Sequence, residues 1–243
     1  MHIKKSRRSF EQPAAMRQSG FTLVEIAIVL VIIGLLLGGI LKGQEMITQA
    51  KIKNIVNDFN GITAAINSYQ DRYKALPGDD VNAATRWSTQ GAIAGDGNGQ
   101  LCTGTCASPP DAGNRYMDTV NDTANAKEVN LFWWHLRLSG FVGGSTTAGA
   151  GSAASNPNNA ANGLMGVQTG GPTGFFTSNM ICSSNLQDKI AIAVDTQMDD
   201  GTANSGQVRA NKQDGPSPPL KAIAAGDAYV ENGTNQYVLC KNL

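Results

Sequence analysis

The chain has 243 residues and is formally neutral, with 19 Lys and Arg against 19 Asp and Glu. That length allows one or two domains. The charges are unevenly spread: residues 1–20 hold Lys4, Lys5, Arg7, Arg8 and Arg17 but only Glu11, so the remainder carries −4, which excludes nucleic-acid binding by bulk charge.

Phe21 to Leu41 is an apolar run with a single charge, Glu25. As a helix at ~1.5 Å per residue it is about 31 Å long, matching a bilayer core of roughly 30 Å. A carboxylate one turn inside such a span is expensive, on the order of 2.5–3.5 kcal/mol at the centre, so Glu25 calls for a function. The basic flank precedes the span, which by the positive-inside rule puts residues 1–20 in the cytoplasm and the remainder across the membrane. A secretory signal peptide would show an apolar region of only about 7–15 residues and a small-x-small cut. Gly38-Gly39-Ile40-Leu41-Lys42-Gly43 is a poor site of that kind.

The junction Arg17-Gln18-Ser19-Gly20-Phe21-Thr22-Leu23-Val24-Glu25, with the apolar run behind it, resembles the start of a type IV prepilin or pseudopilin. The resemblance covers residues 17–76 and implies cleavage between Gly20 and Phe21 on the cytoplasmic side, then N-methylation of Phe21. It gives Glu25 the task of neutralising the N-terminal amine of a neighbouring subunit. The implied fold class is α+β: a long N-terminal helix, transmembrane and then amphipathic, packed on a small C-terminal head with an antiparallel sheet. The implied division is a leader at 1–20, a transmembrane and filament-core helix at 21–41, its amphipathic continuation at 42–76, and a periplasmic or extracellular head at 77–243.

The implied function is that of a structural subunit of a type IV pilus-like filament, not an enzyme. A pseudopilin of a type II secretion system is the alternative, and a membrane-anchored periplasmic enzyme or binding domain a remote one. The implied partners are the prepilin peptidase and methyltransferase, other pilin or pseudopilin subunits, and an inner-membrane assembly platform driven by a cytoplasmic ATPase. The protein would sit in the bacterial inner membrane with its head in the periplasm, then enter a filament. Such proteins often melt this helix locally on assembly, and many carry a proline here. This chain has Gly34, Gly38, Gly39 and Gly43 but no proline, which leans towards the pseudopilin. The loop at 143–163 and a C-terminal disulfide lean towards the pilus.

Further along, Ile52, Ile55, Phe59, Ile62, Ile66, Tyr69, Tyr73 and Leu76 recur at alternating spacings of three and four, one apolar stripe on a helix. The pattern predicts that the helix continues to about Ala75 and ends before Pro77. Asp79 to Trp87 reads as one or two helical turns capped by Asp79 or Asp80, and 88–121 as loop. A helix is predicted from about Ala126 to Leu138, with Gly140 as its stop and one of Trp133 and Trp134 in the core, the other at an edge. Gly143 to Gly163 is nearly all small or polar and reads as an exposed loop. Leu164–Val167 and Thr173–Thr177 suggest strands paired around Gly170-Gly171. Leu186, Ile190, Val194 and Met198 suggest a helix capped by Ser184 or Asn185. Val208–Ala210 and Tyr237–Cys240 read as strands, and Pro216 to Pro219 as a surface turn.

Four cysteines suit an oxidising compartment and allow three pairings. Cys102 with Cys106 and Cys182 with Cys240 is the favoured one, since the first pair closes a small loop and the second fastens the C-terminal strand. Zinc is disfavoured, because there is no C-x-x-C pair and His135 is the only histidine beyond the leader. Gly95-Asp96-Gly97-Asn98-Gly99-Gln100 resembles the front of a calcium loop, but Ala107 stands where an EF-hand carries its bidentate glutamate. A structural calcium held by Asp96, Asn98, Asp199 and Asp200 is the only cofactor considered. No catalytic motif is present, and His135 reads as a packed or surface residue.

Overall fold

The computed structural model describes residues 22–102, 127–147, 155–215, 220–221, 223 and 227–243. The chain forms two compact units, the first ending at Met46 and the second running from Ile47 to Leu243. One helix, α1 (Leu23–Tyr73), supplies residues to both. In the first unit every large apolar side chain from Leu23 to Leu41 is exposed. Its most apolar 18-residue window has a mean hydropathy of 2.8. The helix is unbroken across Gly34, Gly38, Gly39 and Gly43.

In the second unit the predicted stripe is buried: Ile52, Ile55, Phe59, Ile62, Ile66 and Tyr69 all face the core. The helix stops where Lys74 turns into the left-handed region (φ +54°) and donates its amide N–H to the Gln70 carbonyl. Pro77 follows and cannot resume the ladder.

A four-stranded antiparallel sheet lies against this stripe, in the order β1 (Met165–Thr169), β2 (Asn179–Gln187), β4 (Gln236–Asn242), β3 (Val208–Lys212). Period-2 alternation divides the residues between the two faces. Val167, Ile181 and Leu239 join α1 in the main core, while Met180, Cys182, Val238 and Cys240 meet Phe175, Phe176, Leu220 and Ile223 on the other face. Cys182 and Cys240 are directly opposite each other in the β2–β4 register and are disulfide-bonded. Cys102 is also disulfide-bonded, and Cys106 lies outside the described residues. Both sheet edges are occupied. On β1, the Met165 and Thr169 amides donate to the Pro157 and Leu101 carbonyls; on β3, the Ala210 amide donates to the Ala203 carbonyl.

Several local expectations need correction. The short helix α2 (Ala83–Arg86) starts at Asn82 without a side-chain cap, and neither Asp79 nor Asp80 serves as one. Asp80 is buried instead, accepting from the Tyr69 hydroxyl (2.7 Å) and from Arg86 (2.5 Å). On α3 (Glu128–Leu138) both tryptophans are buried. Trp133 enters the main core, and Trp134 packs with Leu131 in a separate small cluster. β1 pairs with β2, not with Thr173–Thr177, so the connection is longer than a tight turn at Gly170-Gly171. α4 (Asp188–Met198) begins after Gln187, and Ser184, Asn185 and Leu186 belong to β2.

Within 143–163, the part from Ser155 onward is anchored rather than free. The buried Asn159 amide donates to Ser183 Oγ and to the Ser184 carbonyl, and accepts from the Ala161 and Gly163 amides. Gly163 must be glycine, because a Cβ there would lie 2.0 Å from the Ser184 oxygen. Pro216 to Pro219 lies outside the described residues.

Candidate functional site

The N-terminal end of α1 is held by a pair of residues three apart. The Thr22 amide and hydroxyl both donate to one carboxylate oxygen of Glu25 (2.8 Å each), and the Glu25 amide donates back to Thr22 Oγ1 (3.2 Å). This is a capping box: each side chain satisfies an amide that the first helical turn leaves without a partner. Sequence reasoning assigned Glu25 a charge role and missed this local one, although Thr22-x-x-Glu25 is its signature. Gly20 and Phe21 lie outside the described residues. No Cβ on Gly34, Gly38, Gly39 or Gly43 would meet anything within 4 Å. Nothing among the described residues therefore requires glycine at these positions.

The predicted metal ligands fall into two separate sets. Asp96 is grouped with Asp79 and Glu128, whereas Asp199 and Asp200 are grouped with Asp195. In the first set Asp79 is wrapped by the loop that carries Asp96 and Asn98. Its two oxygens accept from the Gly97 (2.7 Å), Asn98 (3.0 Å) and Gly99 (2.8 Å) amides. Asn98 turns its carbonyl to the Gln100 amide and its NH2 group to Asp96. Glu128 reaches across to accept from the Asp96 amide (3.1 Å). Burial raises the Glu128 carboxyl to about 7, with the Asp96 and Asp79 charges adding to it.

In the second set burial raises Asp195 to about 6, although the Tyr229 hydroxyl donates to it at 2.6 Å. Asp199 accepts from the Val208 amide (2.9 Å) and the Gln207 amide, and Asp200 from the Thr202 amide (2.8 Å). Both sets offer only oxygen donors, the kind a hard cation such as calcium takes. Asp79 and Glu128 escaped sequence reasoning because each is remote in the chain from Asp96, and Asp195, although only four residues before Asp199, because it lies on α4 and not in the Asp-Gly turn.

His135 is buried and fully engaged. Its Nδ1 accepts from the Gly78 amide (2.9 Å) and its Nε2–H donates to the Ile93 carbonyl (2.8 Å), which defines a neutral tautomer. Burial pushes its pKa down to about 4. With both ring nitrogens bonded to the backbone, it has no nitrogen to offer a substrate.

No curated protein and no solved structure matches the chain. A match does exist at the N-terminus, on the residues that lead into the capping box and the exposed apolar helix. Across residues 15–41 the chain carries the prokaryotic N-terminal methylation motif, the signature of type IV pilins and pseudopilins.

Proposed function

We propose that this chain is a structural subunit of a type IV pilus-like filament. Water is added across the Gly20–Phe21 bond by the prepilin peptidase, leaving a carboxylate on Gly20 and an amine on Phe21. That amine takes a methyl group from a methyl donor and releases a proton. The leader stays in the cytoplasm, the apolar part of α1 crosses the inner membrane, and the head is periplasmic until an assembly platform adds the subunit to others like it.

The observation that carries this reading is the pairing of the motif with an apolar helix that is exposed among the described residues. In the low-dielectric bundle such helices form, Glu25 and the new amine of a neighbour each offset the other's desolvation. The unbroken, proline-free helix supports the second reading, a type II secretion pseudopilin. Protein in sheared surface fibres supports the pilus, and protein kept in the envelope supports the pseudopilus.

The test is N-terminal sequencing of the mature protein, expected to begin at N-methylated Phe21. Glu25→Gln separates the two roles of the glutamate, because glutamine still closes a capping box but carries no charge. That variant is expected to be cleaved normally and to enter filaments poorly. Normal incorporation would remove the charge-pairing mechanism.

Calcium in the Asp79–Asp96–Glu128 set belongs to the same proposal. It would offset the charges of Asp79 and Asp96 and favour the ionised form of Glu128, whose carboxyl is now pushed up by burial, with those two charges adding to it. Saturating calcium stabilises whatever folded state binds it, by about 2.7 kcal/mol at a hundredfold excess over Kd. Thermal unfolding should therefore shift upward in calcium relative to chelator for the wild type and not for Asp96→Asn. Equal midpoints for the wild type would dispose of the ion.

A further inference from the structure

We propose that a cleft beside Gly61 on α1 receives the Lys53 side chain of a neighbouring copy of this chain, with the ammonium against Asp58. The inference rests on the filament reading above. The cleft has a volume of about 270 Å³; Asn57, Asp58 and Gly61 line it on the helix side, and Trp133, Phe141, Met165 and the amide-bearing Asn158 are among the residues opposite.

Asp58 is half-buried and has no hydrogen-bond or ion-pair partner among the described residues. Burial alone pushes its carboxyl up, with nothing to offset it. A half-buried carboxylate left this way, with only neutral groups around it in the cleft, calls for a cation. Gly61 is in a helix interior, where glycine is a poor choice. A Cβ there would meet nothing within 4 Å, so no contact among the described residues explains the glycine. Its effect is to keep the cleft open. Apolar side chains with two neutral amides and one acid suit a lysine, which lays its alkyl stem on hydrocarbon and presents its charge beyond.

Lys53 is exposed and also lacks a partner among the described residues. Copies anchored through the same apolar helix in one membrane lie parallel. A head-to-tail contact between them must join two different patches on different sides of each copy. From position 53 to position 58 the helix turns about 140° beyond a full turn and rises about 7.5 Å. The two charges therefore face different sides, and a parallel neighbour displaced by about that rise brings its Lys53 level with Asp58. Lys51 cannot take this part. It precedes Asp58 by seven residues, which puts it within about 20° of the same face.

The test uses the full-length chain in the cells that make it. Asp58→Lys and Lys53→Asp should each reduce the amount of chain in isolated filaments about tenfold or more, since each sets like charges together. Each copy carries both positions, so the double variant should return to within about twofold of wild type. Gly61→Leu should leave the thermal midpoint of the head unchanged or higher while lowering incorporation. Wild-type incorporation by the single variants, or a double variant no better than either single one, would overturn the proposal. If wild-type chain begins at Phe21 yet never enters a filament, the filament reading fails and takes this inference with it. Wild-type incorporation together with unaffected variants removes the cleft contact alone.

Discussion

At the scale of single residues, Glu25 and His135 show how context sets the role of a titratable group. Glu25 is written into a local cap before any partner arrives, because Thr22 stands three residues upstream and offers both an amide and a hydroxyl. His135 is held neutral by burial, and that state has a consequence for stability. The unfolded chain takes up a proton near pH 6.5, the folded head only near 4. The stability gained from a neutral ring is thus complete above pH 6.5 and is lost as the pH falls towards 4, by roughly 3 kcal/mol in all. The raised Glu128 and Asp195 carboxyls act in the opposite direction over this range, so the His135 share is the difference between wild type and His135→Phe in urea unfolding at pH 7, 5.5 and 4. His135→Phe should be less stable at pH 7, for want of two hydrogen bonds, and that deficit should shrink as the pH falls. A deficit that stays constant with pH would assign the effect to another group. The fate of His135 was half legible: a histidine flanked by tryptophan on an apolar helix reads as packed, but the backbone groups it meets, at Gly78 and Ile93, come from chain far upstream.

At the scale of elements, periodicity was a reliable guide where it was long and failed where it was short. The stripe from Ile52 to Tyr69 was readable because six buried positions repeat over nearly five helical turns. The β1 partner was misread because Gly170-Gly171 looks like a hairpin turn, whereas the strand that pairs with β1 starts only at Asn179. Leu186 fits the spacing of α4 by coincidence, and a bulge between Ser183 and Leu186 keeps it in β2. Asn185, with φ +62°, sits in that bulge.

The disulfide joins two neighbouring strands of this sheet, between cysteines separated by 58 positions in the sequence. Closing a loop of that length removes denatured-state entropy worth about 4 kcal/mol in the chain-entropy account, and measured losses run at 2–5 kcal/mol. Replacing Cys182 and Cys240 together with alanine should lower the unfolding free energy of the head by about that amount in guanidinium titrations. An unchanged midpoint would show that the sheet holds β4 without it.

At the scale of the whole molecule, the chain divides its apolar residues between two solvents. Most of those in the second unit are covered by the sheet, α3 and α4, while those from Leu23 to Leu41 are exposed, with nothing among the described residues over them. Sequence alone exposed this division, because an uninterrupted apolar run and a three-four stripe are different patterns. It did not reveal the acidic sets or the cleft, which join residues such as Asp79 with Glu128 and Asp58 with Phe141 across long stretches of chain.

The occupied margins of the sheet bear on how such heads tolerate crowding. An open strand margin is a template onto which any extended chain can add by backbone pairing, without regard to sequence. Here Pro157 and Leu101 close one margin and Ala203 the other. Heads pressed together therefore have few free backbone groups through which to fuse at these margins. Whatever adhesion arises there is left to side chains, which can discriminate between neighbours and can let go.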